Sequence, residues 1–143
     1  MADFRKLSDS VLASPQIGSE DVITAKEIGV GTIINNRPDG EDPDALQGGE
    51  VEALAREAGL RYIAIPIGQS GFSEVQVNEM IQALDGAEGP ALAYCRSGTR
   101  STFLWALAQA KCGSAPDDIA ESALQAGYDV TPIRPMIDML AVH

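Results

Sequence analysis

Apolar residues in this chain fall into three short continuous runs set among longer stretches with helical spacing. Thr32 to Asn35 and Ala91 to Tyr94 have the length and continuity of buried strands, and Tyr62 to Ile65 reads as a further strand ended by Pro66. A helix is expected from Ser19 to about Ile28, with Ser19 as its cap and Glu20 and Asp21 at its positive end. A second is expected from about Gly49 to Ala58, with Val51, Leu54, Ala55 and Ala58 on one face. Ser73-Glu74-Val75-Gln76 reads as a capping box opening a third, whose stripe is Val77, Met80, Ile81 and Leu84. The run from Ser101 to Cys112 is apolar almost all round, which predicts a central helix. Asp117 to Ala126 and Pro132 to Ala141 complete the helices, and Gly29, Gly59 and Gly127 each follow one as a stop. Residues 1–18 read as a short edge hairpin or an irregular lead-in, and 36–49 as a polar loop.

Alternating strands and helices predict an α/β fold with a mostly parallel central sheet and helices on both faces. The length of 143 residues suits a single domain, 1–143. Ligands of such sheets bind beyond the carboxyl ends of the strands. Three segments leave strands at that rim: Arg37 and its neighbours, Gly68 to Phe72, and the loop beginning at Cys95.

The third segment carries the chemistry. In Cys95-Arg96-Ser97-Gly98-Thr99-Arg100-Ser101 a cysteine ends a strand, a glycine-containing turn follows, and an arginine opens a helix. Unpaired amides at a helix start attract an anion, and the same dipoles favour thiolate over thiol. Arg100 adds a planar cation able to grip an oxyanion with two hydrogen bonds. Cys95 and Arg100 are therefore candidate catalytic residues, with Ser101, and Arg96, Ser97, Gly98 and Thr99 form the anion-binding loop. Arg96 either faces the ligand or extends into solvent. Ser101 caps the helix, bonds the sulfur, or does both. Arg37, Gln69 and Glu74 are candidate substrate contacts, although for Arg37 a structural ion pair with nearby Asp39 or Glu41 is the favoured role. Cys112, a helix length of ~16 Å from Cys95, is too far to act as a resolving thiol and is expected to pack in the core.

The loop resembles the active-site loops of cysteine phosphatases and rhodaneses. With Thr32-Ile33-Ile34-Asn35-Asn36-Arg37-Pro38-Asp39 and Tyr62-Ile63-Ala64-Ile65-Pro66, it is similar to the beta-lactamase hydrolase-like, phosphatase-like sulfurtransferase family. That group is related to dual-specificity phosphatases, and the resemblance implies their fold. It departs from tyrosine phosphatases in two ways. Four residues rather than five separate Cys95 from Arg100, which makes a tighter cradle. The stretch Gly68-Gln69-Ser70-Gly71-Phe72, where the resemblance implies an aspartic general acid, holds no carboxylate before Glu74. Acid assistance is worth about 10²–10⁴-fold to a poor leaving group, whereas sulfur transfer expels a stable anion. The first expectation is therefore a sulfurtransferase passing sulfane sulfur through a Cys95 persulfide. Its partners would be a small anionic sulfur donor and a thiol acceptor. A phosphatase acting on aryl or phosphotyrosine-type esters through a phosphocysteine is the alternative, and a noncatalytic anion-binding module the third.

Composition narrows the partners. The net charge of −11 opposes binding to nucleic acid or an anionic membrane. No apolar run approaches the ~20 residues of a membrane span. The N-terminal residues lack a secretory signal's apolar core, so a cytoplasmic location is expected. Two cysteines and a single histidine, His143, suggest neither a disulfide scaffold nor a zinc site, and no metal or cofactor is expected.

Overall fold

The structure, a computed structural model, describes residues 2–142; His143 lies outside them. Five strands, β1 (Arg5–Ser8), β2 (Val11–Ser14), β3 (Thr32–Asn35), β4 (Arg61–Ala64) and β5 (Ala91–Tyr94), form one sheet in the order β1-β2-β5-β3-β4. The β1–β2 pair is antiparallel and the other three pairings are parallel. The helices are α1 (Ser19–Glu27), α2 (Gly48–Glu57), α3 (Glu74–Asp85), α4 (Thr99–Lys111), α5 (Pro116–Gln125) and α6 (Arg134–Ala141). No helix among the described residues is long and apolar enough to cross a membrane.

Period-two alternation within the strands divides the core. Ile34, Ala91 and Ala93 face one side, where Val77 and Met80 of α3, Leu104 and Leu107 of α4, Ile119 of α5 and Ile137 of α6 are buried. Ile33, Leu92 and Tyr94 face the other, against Val22 and Ala25 of α1 and Val51 and Ala55 of α2. Residues paired in register, Ile33 with Leu92 and Ile34 with Ala93, thus share a face. Leu104 and Leu107 are wholly buried, which contributes about 1.5–3 kcal/mol for each side chain. As its apolar circumference predicts, α4 lies inside the layer, against α3, α5 and α6.

The hairpin reading of the N-terminus holds, but only β1 is at an edge. β2 lies inside the sheet, with Val11 and Ala13 buried and paired to Ala91 and Ala93 of β5. The cap of α1 is Gly18, not Ser19, and the Asp21 carboxylate accepts from the Gly18 amide at 2.8 Å. The capping box of α3 is as expected: Gln76 donates its amide to Ser73 Oγ at 3.2 Å, and Ser73 donates its own to Gln76 Oε1 at 2.8 Å. The last helical run breaks in two, because Thr131–Ile133, which contains Pro132, forms a 3₁₀ turn before α6. Cys112 corrects a further expectation. It stands one residue past α4 and is exposed, since the core-facing stripe ends at Ala110.

Candidate active site

β5 is the middle strand and delivers Cys95 to the carboxyl edge of the sheet, fully buried. The chain then turns sharply through Gly98, the N-cap of α4, at φ 91°. That left-handed conformation favours glycine, and a Cβ there would lie 2.1 Å from the Tyr128 hydroxyl oxygen. The turn aims the Gly98 N–H at Cys95 Sγ, 3.1 Å away. Thr99 N–H is taken by Ser97 Oγ at 3.3 Å, which in turn donates to Thr99 Oγ1 at 2.9 Å. Among the described residues, the amides of Ser97, Arg100 and Ser101 have no partner. The result is a buried sulfur that accepts one amide hydrogen bond, with three unpaired amides along the same arc of chain, and amide donors of this kind stabilise negative charge.

Arg100 closes the arc from the first turn of α4, and it is already engaged. Its two terminal nitrogens donate to the two oxygens of Glu41 at 2.7 and 2.8 Å, and one also donates to the Ile67 carbonyl at 2.8 Å. Glu41 accepts in addition from Arg37 Nε at 2.9 Å, while another Arg37 nitrogen donates to Gln16 Oε1 at 3.0 Å. One carboxylate thus bridges two guanidiniums, and the loops after β3, β4 and β5 meet as the sheet topology predicts. The Arg100 hydrogen bonds hold the Glu41 carboxyl down at about 2, with Arg37 adding to the effect against some cost of burial. Arg100 in turn is raised above its ordinary range, first by Glu41 and further by Cys95.

This coupling has a pH signature. Because the Glu41 carboxyl is depressed in the folded chain, its stabilisation is present above the ordinary carboxylate range and is lost as pH falls from about 4.5 towards about 2. Glu41→Gln is expected to flatten that part of a stability–pH curve by roughly 1–2 kcal/mol, allowing for solvent screening of the part-exposed carboxylate. Thermal melts of both proteins across this range check it, and parallel curves count against the bridge.

Residues 3–112 match the family described as beta-lactamase hydrolase-like protein, phosphatase-like domain. The chain belongs to this family. It is 32% identical over 125 residues to a beta-lactamase hydrolase-like protein of Xylella fastidiosa, covering 87% of this chain and 29% of that protein. A relative of the same description from Agrobacterium fabrum is 31% identical over 122 residues, covering 85% and 28%. The chain therefore spans under a third of the length of these curated relatives. Among solved structures, it is similar to a putative phosphatase from Neisseria meningitidis, with a TM-score of 0.86 and 30% identity, covering 96% of this chain and 98% of that one. TpbA of P. aeruginosa, crystallised with pTyr, shares the fold at a TM-score of 0.70 and 17% identity, covering 98% and 88%. The phosphatase-like fold is shared across these neighbours.

Ser101, Gln69 and Glu74 sit away from the roles the sequence offered them, whereas Arg96 and Arg37 each take one of the two readings left open for them. Ser101 does not cap α4, because Gly98 already does; its hydroxyl is buried without a partner and makes no hydrogen bond to Cys95. Arg96 is exposed and has no side-chain partner among the described residues. Arg37 is buried in its pairing with Glu41 rather than Asp39, whose carboxylate accepts from the Gly48 amide at 2.8 Å. Gln69 is exposed two residues past Ile67. Glu74, with a side chain 80% exposed, lies 3.5 Å from Lys111. Lys111 ends the 13-residue α4, ~20 Å from the start of that helix, so Glu74 is remote from the cysteine loop. Glu41 as a partner of Arg100, and Tyr128, were the residues the sequence did not single out. Glu41 is one of several acids in a Pro- and Gly-rich loop, and nothing in its spacing marks it.

Proposed function

We propose that this domain hydrolyses phosphate monoesters with good leaving groups through a phosphocysteine at Cys95. The observation that carries this is the Glu41 carboxylate, held in a two-pronged grip by Arg100. Its oxygens stand in for two oxygens of a phosphoryl group, which the same guanidinium would hold once Glu41 gives way. The Cys95 thiolate attacks phosphorus, the P–O ester bond breaks, and the leaving group departs with the bonding electrons. Water then attacks the phosphocysteine and breaks the P–S bond, releasing inorganic phosphate and restoring the thiolate. The Gly98 N–H and the free amides of Ser97 and Arg100 supply donors to the charge carried through both steps. The family and its neighbours support this reading over the sulfurtransferase favoured by the sequence.

Of the acids considered for this role, neither Glu41 nor Glu74 stands ready to protonate the leaving group. Glu41 remains ionised down to about 2, and Glu74 is paired at a distance. This argues for aryl or acyl phosphates, whose leaving groups depart without help. Together with the short Cys95–Arg100 loop, it also favours sulfur transfer as a second reading. An aryl phosphate is expected to turn over at least about 10²-fold faster than an alkyl phosphate. Single-turnover incubation with an aryl phosphate or thiosulfate, followed by intact mass, separates the readings. A phosphoryl adduct supports the phosphatase, a gain of one sulfur from thiosulfate supports transfer, and equal aryl and alkyl rates defeat the leaving-group argument.

A further inference from the structure

The cysteine loop is braced from behind by a residue beyond the reach of the family match. Tyr128 follows α5 and is buried, with 7% of its surface exposed. The Arg5 guanidinium lies over its ring, 5.3 Å from the centroid, and its amide donates to the Ala123 carbonyl at 2.9 Å. Its hydroxyl donates to the Ser97 carbonyl oxygen at 3.1 Å.

That carbonyl belongs to the same peptide unit as the Gly98 N–H, the donor to Cys95 Sγ. In a trans peptide the two groups point in opposite directions, and no peptide bond among the described residues is cis. One end of this peptide is therefore anchored by a phenol while the other faces sulfur. The plane needs such an anchor, because a peptide beside a glycine turns over with little steric resistance. Turned over, it would present its carbonyl oxygen to the sulfur and repel a thiolate. A hydrogen bond to the carbonyl also polarises the amide and strengthens its N–H as a donor.

We propose that Tyr128 is a positioning residue, whose hydroxyl locks the Ser97–Gly98 peptide with its N–H towards Cys95 and so sustains the nucleophile. Gly98 is part of the same device, since a side chain there would collide with the phenol. The proposal rests on Cys95 being the nucleophile, yet it concerns how the thiolate is held and not which group it attacks.

The test is Tyr128→Phe, which keeps the ring and its contact with Arg5 and leaves Arg100 and Glu41 in place. Alkylation of Cys95 by iodoacetamide, followed by intact mass across a pH series, needs neither proposed substrate. Its outcome is therefore independent of the phosphatase reading. Exposed Cys112 is removed beforehand as Cys112→Ser. At neutral pH the Tyr128→Phe rate is expected to fall about 3- to 10-fold, the range for one lost hydrogen bond. The pH profile should move to higher pH, with the two proteins converging in alkali. With an aryl phosphate, the loss should fall on kcat more than on KM. An unchanged profile, or a uniform loss at every pH, would overturn the proposal. So would the same effect from Arg5→Ala, which loosens the ring but keeps the hydroxyl. Failure of Tyr128→Phe to fold, read by circular dichroism, would also overturn it, because the hydroxyl would then be holding the chain together.

Discussion

Cys95→Ser is expected to reduce aryl phosphate turnover by at least about 10³-fold and to abolish the covalent adduct, because it removes the nucleophile. The side chain is fully buried and hydrogen-bonded by the Gly98 amide, so the near-isosteric serine should fit without disturbing β5 or α4. Its hydroxyl meets the same amide but, unlike a thiol, remains protonated near neutral pH. The fold and the affinity for inorganic phosphate should survive. Steady-state rates, intact mass and a phosphate titration of the folded variant check the three parts. Turnover within tenfold of the parent would remove Cys95 from the mechanism.

Arg100→Lys comes next in size. Lysine keeps the charge but offers a point cation instead of a planar fork, so the two-pronged grip is lost. Removing one donor from an oxyanion site costs about 10²–10³-fold in kcat, and a loss in that range is expected. Stability should fall as well, since Glu41 and the Ile67 carbonyl lose their partner and the ends of three loops part company. Kinetics and thermal melts on one preparation distinguish the two effects. A variant that melts early but retains its kcat would make Arg100 a structural clamp only.

Legibility in the sequence followed the range of the interactions concerned. Thr32–Asn35 and Ala91–Tyr94 were readable to the residue, because a strand buried on both faces needs an unbroken apolar run. β4 begins one residue before Tyr62, at Arg61, which is exposed but pairs with Thr32. Ser73 was readable because its partner, Gln76, is three positions away. Ser101 misled because a serine near a helix start resembles a cap, while the turn at Gly98 had already supplied one. The link from Glu41 to Arg100 spans 59 positions, and that from Tyr128 to Ser97 spans 31; only the folded sheet brings either pair together. The choice between sulfur and phosphate was drawn from the missing general acid and from the number of loop residues. That number does not report how the amides are aimed or that a carboxylate already occupies the guanidinium.

The sheet order has a consequence for how the molecule is made. β5 is the last strand to be synthesised and the middle one in space. Until it inserts, β2 and β3 each expose an unpaired edge, the kind of surface on which incomplete chains adhere to one another. The strand that seals this gap also brings the thiol into register, so a nascent chain gains its reactive group at the moment it loses its stickiest seam.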